Sequence, residues 1–207
     1  MLELFFSTFV TLFVVIDPPG CAPIFAGLVS GASHREAVTI AIRATVVASL
    51  ILLAFALVGI QLLGGLHIEL NAFRIAGGMM LFLIALEMVF EKRTRRREER
   101  AEQALHEPPP VEDIAVFPMA MPMMAGPGSI ATVMLLMARA TGWDAKLVVL
   151  SALAAVMLLT LAALAAAGPL MKLLGTRVEG VITRVLGVLL GALAVQYVID
   201  GVRGVLR

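Results

Sequence analysis

The chain has 207 residues, 60% of them apolar, a mean hydropathy of +1.00 and a formal net charge of +1. A soluble domain stays near half apolar, so this composition predicts an outer surface that faces hydrocarbon. The small net charge gives no field for nucleic acid. Cys21 is the single cysteine, and His34, His67 and His106 lie far apart, so neither a disulfide, a metal cluster nor a cofactor is expected.

A bilayer core takes about 20 apolar residues per helical span. Apolar stretches run over 3–29, 38–63, 70–90, 114–138, 147–170 and 178–199. They predict an all-α membrane protein with six spans. The opening Met1-Leu2-Glu3-Leu4-Phe5-Phe6 lacks the basic region of a signal peptide and reads as the start of the first span.

The first stretch is interrupted by Asp17-Pro18-Pro19-Gly20-Cys21-Ala22-Pro23. Proline removes an N–H and clashes with the preceding turn, so this span is expected to break in its middle. Arg43, in the second stretch, is read as interfacial. After Gly65 comes the third stretch with Asn71 and Arg74, and toward its end Glu87, again read as interfacial. Residues 91–113 form one charged run, closing in Pro108-Pro109-Pro110, with seven acids against six bases. It reads as a solvated cytoplasmic linker between a first unit over 1–90 and a second over 114–207.

The fourth stretch repeats the design of the first, with Phe117-Pro118, Met121-Pro122 and then Gly126-Pro127-Gly128-Ser129. The sixth carries Arg184, Gln196 and the small-residue pair Gly187 and Gly191, a spacing that lets helices approach closely. That pair is expected to pack the two halves together, with a homodimer interface as the other reading.

The two units resemble each other. Gly65, Glu69, Arg74 and Gly77 recur at a shift of 110 as Gly175, Glu179, Arg184 and Gly187, and Pro19-Gly20-Cys21 recurs at a shift of 108 as Pro127-Gly128-Ser129. Three spans per unit put the second in the opposite direction, so the expected architecture is two inverted three-helix repeats with broken first and fourth helices, a design used by many secondary transporters. Arg74 and Arg184 then either snorkel to an interface or act as a matched structural or gating pair.

Basic residues in short loops stay cytoplasmic. Arg35, Lys92, Arg93, Arg95, Arg96, Arg97, Arg100, Lys172 and Arg177 fall on one side, nine against Arg139, Lys146, Arg203 and Arg207 on the other. Both termini are therefore expected in the periplasm.

Irregular backbone at membrane depth persists only where it is buried in protein or lines a wet cavity. A helix restarting there presents unpaired N–H groups and the positive end of its dipole. The expected guest is a small anionic group such as a carboxylate, held by Pro19, Gly20 and Cys21 in one half and by Gly126, Pro127, Gly128, Ser129 and Thr132 in the other. Asp17 has two readings: it binds a ligand's ammonium group, or it caps the second half-helix.

Asp17-Pro18-Pro19-Gly20 with Pro23 and Phe25, the run Ala72-Phe73-Arg74-Ile75-Ala76-Gly77-Gly78 with Ala85-Leu86-Glu87-Met88, and Pro122 through Gly126-Pro127-Gly128-Ser129-Ile130-Ala131 resemble the signatures of the MarC family of integral membrane proteins. The resemblance covers essentially the whole chain, apart from the linker. It implies a six-span inner-membrane protein of the kind classed with small neutral amino acid transporters. The leading expectation is a secondary transporter working by alternating access on a small-molecule substrate within the lipid bilayer, coupled to a proton or a sodium ion. An ion or small-solute channel and a non-transporting membrane scaffold are the alternatives. No phosphate loop, H-E-x-x-H or nucleophile elbow occurs, so an enzyme is not expected.

Overall fold

The computed structural model describes residues 1–90 and 114–206, and the side chains of 169–179 are not among what it describes. The predicted linker lies outside the described residues. Among the described residues seven helices follow in chain order: α1 (Leu2–Ile16), α2 (Pro18–Leu28), α3 (His34–Gly65), α4 (Leu70–Val89), α5 (Pro127–Arg139), α6 (Gly142–Ala165) and α7 (Ala167–Val205). An irregular, wide-turned segment, Ala115–Met124, precedes α5.

Local chemistry sets the ends. A capping box starts α3: Glu36 N–H donates to Ser33 Oγ at 3.4 Å, and Ser33 N–H donates to Glu36 Oε2 at 2.8 Å. Its far end closes with His67 at φ 55° and Ile68 N–H donating to Leu63 O at 2.9 Å.

The helix α7 begins earlier than the expected sixth span, at Ala167, and runs through what reads in the sequence as a connection. Pro169 falls in its first turn, where a missing N–H has no intrahelical partner to lose.

Among the described residues five helical segments are long and apolar enough to cross a membrane: Leu2–Leu28 (α1 with α2), α3, α4, α6 and Gly180–Val205 of α7. The segment Ala115–Met124 with α5 makes a sixth, bent by 54°. The packing of α4 against α7 fits a bent pair that crosses rather than turns back. Gly201 and Gly204 of α7 lie against Asn71 and Ile75 of α4, whereas Gly187 lies against Ala85, Met88 and Val89. The third and sixth spans are thus antiparallel, which needs an odd number of crossings from α4 to α7: the bent pair, α6 and α7 itself. Antiparallel third and sixth spans are also what an inverted repeat requires.

The α4–α7 seam is the main contact between the halves. A Cβ on Gly78 would sit 2.8 Å from Ala194 O, and one on Gly187 would sit 2.8 Å from Met88 Cβ. Gly187 and Gly191 therefore serve packing within the chain. Two buried clusters result. The larger gathers residues of α1, α2, α3, α5, α6 and the irregular segment; the smaller joins Val14, Val15, Leu81, Met88, Leu135, Leu190 and Tyr197. Leucines, valines and phenylalanines such as Phe82, Leu83, Leu158 and Val188 point outward. On a soluble protein such a surface would aggregate; here it faces lipid.

Candidate functional site: two interrupted spans that meet

The first span breaks at a single residue. Asp17 adopts φ 60°, ψ 64°, ends α1 and is the N-cap of α2. Pro18 and Pro19 then occupy the first two helical positions, where proline's fixed φ fits and no hydrogen bond is lost. The prolines thus begin the second half-helix rather than disrupt the first.

This break is sealed by its own residues. Asp17 is 1% exposed, and its Oδ1 accepts from Gly20 N–H at 3.2 Å. Cys21 is fully buried, and its thiol donates to Ile16 O at 3.6 Å, one of the carbonyls that ends α1. Of the two readings of Asp17, the cap is the one the geometry displays. A Cβ on Gly20 would lie 2.2 Å from Asp17 Oδ2, so glycine is needed for the carboxylate to fold over the helix end.

The second break is built differently. Phe117 and Met121 leave the helical region, each before a cis proline, Pro118 and Pro122. Ala125 N–H reaches back to Ala120 O at 2.8 Å, and α5 restarts with Gly126 as N-cap and Pro127 at its first position. No side chain caps α5. The cap position excludes one, because a Cβ on Gly126 would lie 2.4 Å from Pro122 O. The first intrahelical bond is Ile130 N–H to Gly126 O at 3.0 Å, which leaves the N–H groups of Gly128 and Ser129 without helical partners. Ser129 is 3% exposed. One turn on, Thr132 is fully buried and its Oγ1 has no hydrogen-bond partner. Spacings of three and four residues put Gly128, Ser129 and Thr132 on one helix face.

The two breaks lie together. A Cβ on Gly128 would be 3.8 Å from Val15 Cγ1, in the last turn of α1, and would also meet Ile84 and Leu81 of α4. The carbonyl end of α1, carrying partial negative charge, therefore faces the amide end of α5, carrying partial positive charge. Thr8 and Thr11 are buried on α1, and Thr8 Oγ1 has no partner. Sequence reasoning missed them, because isolated threonines in an apolar span carry no pattern.

The other polar residues divide. Arg43, Arg184 and Gln196 are exposed and Glu87 is half-buried. Arg74 Nη1 donates to Asn71 Oδ1 at 3.1 Å, and its Nε is buried without a partner. Arg74 and Arg184 are not brought together; Arg74 instead shares a polar cavity with Arg139, Asp200 and Arg203. Arg139 forms an ion pair with Asp200, Gln196 Nε2 donates to Asp200 Oδ1 at 2.7 Å, and Arg139 lies 4.6 Å over the Tyr197 ring. In the sequence Arg139 and Arg203 stand only as loop charges. Among the described residues no group of three His, Cys, Asp or Glu side chains is placed to hold a metal ion.

These features define a multi-pass helical membrane protein whose first and fourth spans are interrupted at a common point. The chain matches the model of the MarC family of integral membrane proteins over residues 2–206, and it belongs to that family. It is 35% identical to the UPF0056 membrane protein MJ1677 of Methanocaldococcus jannaschii over 99% of this chain and 98% of that one. It is 34% identical to the UPF0056 membrane protein YvbG of Bacillus subtilis over 99% and 96%. No solved structure matches.

Proposed function

We propose that the protein is a secondary transporter of small neutral amino acids, and that the substrate is held where α1 ends and α5 begins. The observation that carries this reading is the uncapped, buried N-terminus of α5, with the unpartnered Thr132 hydroxyl one turn inside it. The amide N–H groups of Gly128 and Ser129 and the hydroxyls of Ser129 and Thr132 receive the carboxylate. The first half already carries the same arrangement within the chain: a carboxylate, that of Asp17, accepts from the third amide of α2. At α5 the corresponding acceptor comes from the ligand.

The ammonium group, or a coupling proton or sodium ion, faces the carbonyl end of α1, where the Asp17 carboxylate caps α2. Unwound carbonyls and half-helix ends hold cations in this way in transporters of inverted-repeat design. A zwitterion of glycine or alanine size matches the opposed dipoles, whereas a larger side chain meets Val15, Leu81 and Ile84 around Gly128. Rocking of the halves then exposes the site to each side in turn. We assign the linker side to the cytoplasm of an inner membrane and both termini to the periplasm, on the nine-to-four bias of basic residues.

The test is uptake of labelled glycine into proteoliposomes, with and without proton and sodium gradients. Saturable flux is expected, inhibited by alanine and not by glycinamide, which lacks the carboxylate. No saturable flux under any gradient, or equal inhibition by glycinamide, overturns the proposal.

A further inference from the structure

Away from the breaks, at the end of the bundle where α5 and α7 finish and α4 begins, Arg74, Arg139 and Arg203 surround a cavity of about 380 Å³ with Asp200 and Gly204. Asp200 is the one acid in this lining, and it is engaged by Arg139 and Gln196. That leaves two guanidinium groups uncompensated. Arg203 has no ion pair among the described residues, and Arg74 bonds only to the neutral amide of Asn71, with its Nε buried and unpartnered. Arg203 is exposed, so the costly group is Arg74 Nε, a buried charged donor without an acceptor, and an anion in the cavity would supply one.

The position narrows the class of anion. Arg139 closes α5, Arg203 lies in the last turn of α7, and Arg74 lies in the second turn of α4. These helix ends mark the boundary of the apolar slab, the level of lipid phosphates. Forked guanidinium donors match the oxygens of a phosphate group. Gly204 lines the cavity and packs against Asn71, the partner of Arg74, since a Cβ there would lie 2.4 Å from Asn71 Oδ1.

We propose that Arg74, Arg139 and Arg203 form a binding site for a phosphate group at the membrane boundary, separate from the transport site and independent of that reading. Two sources share this chemistry, an anionic phospholipid headgroup and free inorganic phosphate. The full chain, purified in detergent, is titrated with phosphate against chloride at equal ionic strength while thermal unfolding is followed. In parallel, phosphatidylglycerol retained after extraction from mixed phosphatidylcholine bilayers is counted by native mass spectrometry. Each is repeated with Arg74→Gln and with Arg203→Gln. The second change lies on an exposed last turn and leaves the fold undisturbed if the first does not.

A phosphate-specific shift whose midpoint rises about tenfold or more in the variants, as loss of a charge-assisted bond requires, supports free phosphate. Retention of phosphatidylglycerol that falls in the variants, without a phosphate shift, supports the headgroup. Neither effect, or effects of equal size in the native chain and both variants, overturns the site.

Discussion

Replacing Gly78 by alanine forces α4 and α7 apart. The new Cβ would lie 2.8 Å from Ala194 O, 2.8 Å from Val198 Cγ2 and 3.0 Å from Val198 N. Two of these are backbone atoms, which cannot rotate away, so the helices must separate by roughly half an ångström or more to restore ordinary contact. Overpacking of this kind costs about 1–3 kcal/mol. Exchange of glycine for alanine in a helix returns about 0.8–1 kcal/mol, so the net loss is up to about 2 kcal/mol relative to the parent and about 1–3 kcal/mol relative to a glycine exchanged where space is open.

Gly64→Ala is the matched control, because nothing lies within 4 Å of its Cβ and only the helix gain remains. Cys21 supplies the assay: it is the single cysteine and fully buried, so a thiol-reactive fluorophore reports unfolding on heating. Gly78→Ala is expected to lower the midpoint by up to about 8 °C, at about 2–4 °C per kcal/mol for a chain of this size, while Gly64→Ala holds or raises it. A Gly78→Ala protein as stable as the Gly64→Ala control would refute the close α4–α7 crossing.

Three further changes probe the breaks and the topology. Asp17→Ala removes the cap of α2 and is expected to cost about 1 kcal/mol and to speed labelling of Cys21; Asp17→Asn keeps an acceptor and is expected to retain most of that stability, which labelling rates in the two variants compare directly. Thr132→Val removes a buried hydroxyl without a partner, so stability is expected to hold or rise by about 1 kcal/mol while glycine affinity falls about tenfold; unchanged affinity would remove Thr132 from the site. A C-terminal alkaline phosphatase fusion is expected to be active and a C-terminal green fluorescent protein fusion dark, and the reverse pattern would invert the assigned orientation.

The spans and both interruptions were legible in the sequence because apolar length and proline act locally. Pro18-Pro19-Gly20 and Gly126-Pro127-Gly128 mark the breaks wherever the rest of the chain goes. The exact break point was not legible: proline reads as a helix breaker, yet at Pro18 and Pro127 it is the first residue of the next helix, and the turn is made by Asp17 and Gly126. The start of α7 was hidden for a similar reason, since basic residues read as a loop although nothing in 167–179 stops a helix. The cluster of Arg74, Arg139, Tyr197 and Asp200 depends on which helices pack together, and one sequence does not carry that choice.

The sequence resemblance between the two breaks also concealed a difference on which the proposed mechanism depends. Counted from the helix caps, Asp17 corresponds to Gly126 and Gly20 to Ser129. One cap position carries a carboxylate that closes its own helix; at the other, the Pro122 carbonyl leaves no space for any side chain. Two self-capped breaks would make a rigid kinked bundle with no demand for a ligand. Two open breaks would bury two sets of unpaired amides, at several kcal/mol each in a lipid setting. With one closed and one open, the closed break holds α1 and α2 in register while the open one leaves amides that a substrate carboxylate satisfies in the way Asp17 satisfies those of α2. In the proposed mechanism it is the difference at Gly126, rather than the likeness of the two breaks, that would make the meeting point of the two spans a binding site.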